Sequence, residues 1–175
     1  VAAQKANFEN TIENIKKNIE YGTLPNGGKY ALLEKPTKGD KITASVILRF
    51  GDDKSLNNKS EIGGVLADML KSGTTTKTKK QIADELDKIK TNISFSGGST
   101  SLSINISTDK QNLTAALALL DDMLKNPKFD AAEFDKIILD TKADYEAGKS
   151  DPQTIASEKL QKMTSNYPPG HPYYA

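Results

Sequence analysis

Apolar and polar positions along this chain repeat with two periods, and each period predicts an element. Ile42, Ala44, Val46, Leu48 and Phe50 fall on every second position, as in a half-buried strand. Ile93 and Phe95 alternate in the same way. Gly97-Gly98 then turns the chain, and Leu102, Ile104 and Ile106 resume the alternation, so this stretch predicts a hairpin. A further hairpin is expected over Thr23 to Lys35, with Asn26-Gly27-Gly28 as its positive-φ turn.

The helical period fills most of the rest. Phe8, Ile12, Ile15 and Ile19 are four, three and four apart and predict a helix over Ala2 to Glu20. Ser60 is placed as an N-cap, with Ile62, Val65, Leu66, Met69 and Leu70 as the buried face and Gly73 as the stop. Thr78 and Gln81 form a capping box ahead of Ile82, Leu86 and Ile89. Leu113, Leu117, Leu120 and Leu124 mark a helix that closes at Asn126-Pro127. Asp130 and Glu133 form another capping box, and Phe134, Ile137, Ile138 and Tyr145 carry a long helix toward Gly148. Asp151-Pro152 starts the last helix, with Ile155, Leu160 and Met163. Gly51 to Lys59 and Thr74 to Lys80 are expected to be solvated connections, and Asn166 to Ala175 an extended, proline-rich tail. Hairpins followed by long helices predict an α+β fold, a mainly antiparallel sheet with helices packed on one face.

Composition narrows the chemistry. The 175 residues suffice for one domain with a real core. Net charge is +1, and Arg49 is the sole arginine among 24 basic residues, which disfavours phosphate clamps and nucleic-acid readout. No cysteine is present, so disulfides and thiolate sites are excluded. No apolar run approaches the roughly 20 residues that span a bilayer. Gly97-Gly98 sits in a hairpin and not at a helix start, which argues against a nucleotide loop. His171 is the only histidine, and no serine lies in Gly-x-Ser-x-Gly, so a Ser-His-Asp triad has no support. Asp52-Asp53 and Asp121-Asp122 read as solvated charge.

Several pieces occur in a telling order. Leu24-Pro25-Asn26-Gly27 precedes a strand, and a later strand ends Leu48-Arg49-Phe50-Gly51. Met69-Leu70-Lys71-Ser72-Gly73-Thr74 ends a helix that contains Gly63-Gly64. The segment Phe129 to Asp151-Pro152 follows, then Gly170-His171-Pro172. Together the chain resembles a lobe of the insulinase, pitrilysin and mitochondrial processing peptidase family of zinc proteases.

Active members of that family carry His-x-x-Glu-His on the corresponding helix. The two histidines share a zinc ion and the glutamate acts as general base. The resemblance places Gly64 at the first histidine, Ala67 at the base and Asp68 at the second histidine. The later glutamate ligand falls at Asp144, with Asp140 and Glu146 as register alternatives. Glycine and alanine offer no ligand and no proton acceptor, so a catalytic zinc lacks its donors. An aspartate pair suits magnesium or calcium better. Each helical glycine costs about 1 kcal/mol, so close helix–strand packing is the expected reason for Gly63-Gly64. By resemblance, the hairpin Thr91 to Ser107, with Ser94, Ser96, Ser101 and Ser103 facing outward, is the region where extended substrate pairs with a sheet edge.

The resemblance implies a non-catalytic lobe of a zinc metallopeptidase. Residues 1–21 would form a connector helix and residues 22–175 a single lobe, the first of the second half of a tandem bacterial protein. No cofactor is expected in this segment, and zinc would sit in the other half. The implied partners are the other lobes of the same polypeptide and an extended peptide substrate, with no nucleic acid and no membrane. Tyr173-Tyr174-Ala175 would lead into a further lobe, and the location would be periplasmic or otherwise exported. Two other readings stay open: a divergent metalloenzyme using Asp68 and Asp144, and a stand-alone peptide- or protein-binding module.

Overall fold

A computed structural model describes residues 8–52, 54–56, 59, 61–171 and 174. The chain divides into two compact units, residues 1–41 and 42–175.

In the first unit, helix α1 spans Ile12–Asn18 and runs into strand β1, Ile19–Thr23. Thr11 caps α1 by accepting from the Asn14 amide. The helix ends earlier than its apolar stripe suggests, because Ile19 turns extended (φ −78°, ψ 124°) and pairs with Leu33. Residues 1–7 of the expected helix lie outside the described residues. Strand β2, Lys29–Leu33, completes an antiparallel hairpin about a turn in which Gly27 takes φ 84°.

The second unit contains strands β3 (Lys41–Arg49), β4 (Asn92–Gly97) and β5 (Ser101–Asp109), in the order β3-β5-β4. Strands β4 and β5 are antiparallel, pairing Phe95 with Ile104 and Ser96 with Ser103. The Phe50 amide donates to the Thr100 carbonyl at 3.0 Å, so the end of β3 meets the start of β5. Among the described residues the strands form two antiparallel sheets, the β1-β2 pair and this trio, as the α+β expectation requires.

Helices α2 (Ile62–Leu70), α3 (Lys79–Lys88) and α4 (Leu113–Lys125) cover one sheet face. Ile93, Phe95, Leu102, Ile104 and Ile106 from the strands pack with Ala67, Leu70, Ile82, Ala116, Leu119, Leu120 and Met123 from these helices. On β4 and β5 the opposite face carries serine and asparagine, so their alternation places the core as predicted. On β3 it does not hold to the end: Ile42 and Ala44 are half-buried, but Val46 and Leu48 are exposed. The α3 capping box is formed in full: Thr78 accepts from the Gln81 amide, and the Gln81 side chain accepts from the Thr78 amide. Such a cap stabilises by about 1 kcal/mol.

Other expectations are corrected. Glu61 stands at the N-cap of α2 but its side chain does not cap the helix, and Ser60 lies outside the described residues. The buried stripe of α2 is Gly63, Ala67, Met69 and Leu70, whereas Ile62 is half exposed. Thr74 to Lys80 is no solvated linker throughout. Thr74 is buried and bridges to Pro127, and the Thr75 amide donates to Asn126.

Helix α5 (Ala131–Gly148) starts at Asp130, which accepts from the amides of Ala132 and Glu133. Hydrogen bonds from Lys128 and from those amides hold the Asp130 carboxyl below its ordinary pKa. Helix α6 (Pro152–Thr164) starts at Asp151, which accepts from Thr154. Neither helix has a buried side chain, and Phe134 and Tyr145 are exposed. Residues 166–171 of the tail are turned and not extended: the His171 amide donates to the Pro168 carbonyl, and Tyr167 stacks on His171 with centroids 4.5 Å apart. Among the described residues no helix is long and apolar enough to cross a membrane.

Candidate functional site

Glycine on both partners brings α2 onto the sheet. Gly63 faces Gly97 and Gly98 at the end of β4 so closely that no Cβ fits at Gly63 or Gly97. A Cβ on Gly97 would stand 2.6 Å from the Gly64 nitrogen and would overlap the Gly63 carbonyl. Only Gly lets two backbones approach in this way. That contact does not require glycine at position 64, since a Cβ on Gly64 meets nothing within 4 Å. The expected close packing therefore belongs to Gly63 alone.

This docking orients the next turn of α2. Ala67 is 3% exposed and sits in the hydrophobic core, so the position matched to the catalytic base is occupied by packing. Asp68 lies on the open side and pairs with Lys71 at 2.6 Å. A cleft of about 350 Å³ runs beside it. Asp68, Lys71 and Lys79 line one part, and Glu133, Lys136, Asp140, Thr141 and Asp144 from α5 line the other. The structure thus brings Asp68, Asp140 and Asp144 to one cleft, whereas Glu146 pairs with Lys149 at 2.6 Å and does not line it.

The donor set does not fit catalytic zinc. Gly64 has no side chain, Ala67 carries a methyl group, and Asp68 is already engaged by an ammonium group. Among the described residues, no three His, Cys, Asp or Glu side chains are grouped closely enough to hold a metal ion. His171 stacks on Tyr167 and does not line this cleft. Sequence reasoning missed Glu133, Lys136 and Lys79 as cleft residues. The signal was present on α5, where Glu133, Lys136, Asp140, Thr141 and Asp144 recur at helical spacing as one polar stripe.

The hairpin serines occupy the sheet face opposite the core. Ser94 and Ser96 on β4 are exposed, and Ser101 and Ser103 on β5 are half-buried. Ser96 is directly opposite Ser103, and Ser94 is opposite Asn105. Strand β4 is an edge strand of the trio. Its outer edge offers backbone groups that can pair with an extended chain.

The family profile described as insulinase (peptidase family M16) matches residues 30–173, more than half of the chain. Among solved structures, an inactive domain of peptidase M16 from Pseudomonas fluorescens is similar, with a TM-score of 0.77 and 19% identity. That match covers 90% of this chain and 37% of the other. A mutant of the ferredoxin protease FusC in complex with Arabidopsis ferredoxin matches with a TM-score of 0.64 and 13% identity. Here the cover is 94% of this chain and 18% of the other, so the chain spans well under half the length of both. No curated protein matches. At these identities the structures speak for the fold, α+β with antiparallel sheets. The family rests on the profile match: the chain belongs to the insulinase family, peptidase family M16.

Proposed function

We propose that this chain is a non-catalytic lobe of an insulinase-type zinc protease. It shapes the substrate chamber and packs against the half that carries zinc. The observation that carries this reading is the α2 turn, in which Gly64, Ala67 and the ion-paired Asp68 stand at the three motif positions. The likeness to an inactive M16 domain agrees with it. FusC was captured with a protein substrate, ferredoxin, which supports an extended polypeptide as the partner class here too. Contact with that chain would run along β4, beside Ser94 and Ser96, through backbone hydrogen bonds. The remaining lobes belong to the same polypeptide, residues 1–21 connect to them, and the whole protein acts in the periplasm or outside the cell.

The cleft shared by Asp68, Asp140 and Asp144 favours one second reading, a weak divalent-cation site of the magnesium or calcium kind. Three lysines in the same cleft work against it. Peptide cleavage and bound metal, measured on the purified protein, test the main reading. No cleavage and no stoichiometric zinc are expected. Activity that disappears on chelation and returns with zinc would overturn it, and a magnesium titration compared with Asp68→Ala would reveal the alternative.

A further inference from the structure

A second cleft, of about 690 Å³, is lined by Arg49, Phe50, Gly51, Ser99, Thr100 and Tyr167. Its volume falls in the range of small-molecule and peptide-side-chain sites, roughly 300–1,000 Å³. We propose that this cleft binds a peptide carboxylate through the Arg49 guanidinium, with an adjoining apolar residue held between Phe50 and Tyr167.

Three elements build it. Arg49 is the last residue of β3, and the Phe50 amide bonds to the Thr100 carbonyl, which fixes the strand end beside the β4–β5 turn. The turn itself is closed by the Gly98 amide donating to Ser101 at 2.8 Å. Tyr167 forms the third wall. Its own turn holds it: the Tyr167 amide donates to the Ser165 hydroxyl, Gly170 takes φ 89°, and the ring stacks on His171. The walls are therefore in place before a ligand arrives, which lowers the ordering cost of binding.

Charge selects the ligand. Arg49 is exposed and forms no ion pair among the described residues, whereas Lys71, Lys80, Lys125 and Lys149 each hold a carboxylate. The nearest acid in sequence, Asp52, is turned into its own loop, accepting from the amides of Lys54 and Ser55 at 3.1 and 2.8 Å. Those bonds hold its carboxyl below its ordinary pKa and occupy it. The guanidinium fork matches a carboxylate with two parallel hydrogen bonds. A phosphate dianion would leave one charge uncompensated beside a single cation. Phe50 packs against the core and Tyr167 is 43% exposed, so two rings offer apolar surface next to the charge. The inference needs only this cleft, so its failure leaves the proposed lobe role standing.

The test uses three short peptides titrated by calorimetry: acetyl-Ala-Ala-Ala-Phe with a free carboxylate, the same peptide amidated, and amidated acetyl-Ala-Ala-Glu-Phe. At least one carboxylate peptide is expected to bind at least tenfold more tightly than the neutral amide. Binding of the first alone assigns a chain terminus, and binding of the third assigns an acidic side chain. Arg49→Gln is expected to weaken binding at least tenfold, and Arg49→Lys by less, with circular dichroism unchanged for both because Arg49 is exposed. The proposal is overturned by equal binding of acid and amide, by no binding at millimolar peptide, by an unaffected Arg49→Gln, or by inorganic phosphate binding more tightly than either acid.

Discussion

Gly97→Ala is expected to destabilise the protein by about 3 kcal/mol, the upper part of the usual range for overpacking. A methyl group there enters the space of the Gly63 carbonyl and lies 2.6 Å from the Gly64 nitrogen. Both obstacles are backbone, so no rotamer change relieves the clash, and α2 must lift from β4. Gly63→Ala meets Gly98 in the same way, with the carbonyl carbon at 3.0 Å and the nitrogen at 3.1 Å. For a chain of this size the loss corresponds to a drop of about 6–12 °C in the thermal midpoint. Gly64→Ala is the control with the opposite sign. Its Cβ meets open space, so the helix gains about 1 kcal/mol of propensity and the midpoint rises. Scanning calorimetry of the three variants reads the effect. A Gly97→Ala protein as stable as its parent would remove the basis for the placement of α2.

The double variant Gly64→His, Asp68→His is expected to gain zinc binding that the parent lacks. The two positions are a helical turn apart, and Asp68 already faces the cleft that Asp144 lines. Two imidazoles and the Asp144 carboxylate would supply the three protein ligands of an open zinc site. Room exists for the first imidazole, because nothing stands within 4 Å of a Cβ at Gly64. The lost Asp68–Lys71 pair is exposed and contributes at most about 1 kcal/mol. Zinc at 100 times its dissociation constant would then stabilise the variant by about 2.7 kcal/mol, about 5–10 °C in midpoint. Adding Asp144→Ala should cut that gain sharply. A folded double variant indifferent to zinc would show that these positions do not share a metal-binding face. Hydrolysis is not expected to return with the metal, since Ala67 is buried in the core and a glutamate there would be forced into it.

Those expectations rest on features that were unequally legible in the sequence. The alternation of Ile93, Phe95, Leu102, Ile104 and Ile106 is local and strict, and it identified the sheet face that is buried. Thr78 with Gln81 and Asp151 with Pro152 carry their own hydrogen-bonding logic within three residues, so both helix starts were readable. The buried face of α2 was not. Apolar size pointed to Ile62 and Val65, but burial follows Gly63, whose partner Gly97 is distant in sequence. Thr74 misled for the same reason: its burial depends on Pro127 and Asn126, which no local pattern announces. At the site, resemblance located Asp68 and Asp144, and helical geometry then brought Asp140 to the same cleft while leaving Glu146 with Lys149. Lys79 reaches the cleft from another helix, a relation that only the packing reveals.

The bare surface of α6 also gives the protein an uneven susceptibility to oxidants. Met69 and Met123 are 4% and 2% exposed, whereas Met163 is 84% exposed. Peroxide reaches a thioether only where solvent does, so Met163 becomes the sulfoxide first while the two interior sulfurs stay reduced. Any lobe that lies over α6 in the complete molecule would shield that sulfur, and the mass gained on mild oxidation would register whether it is covered.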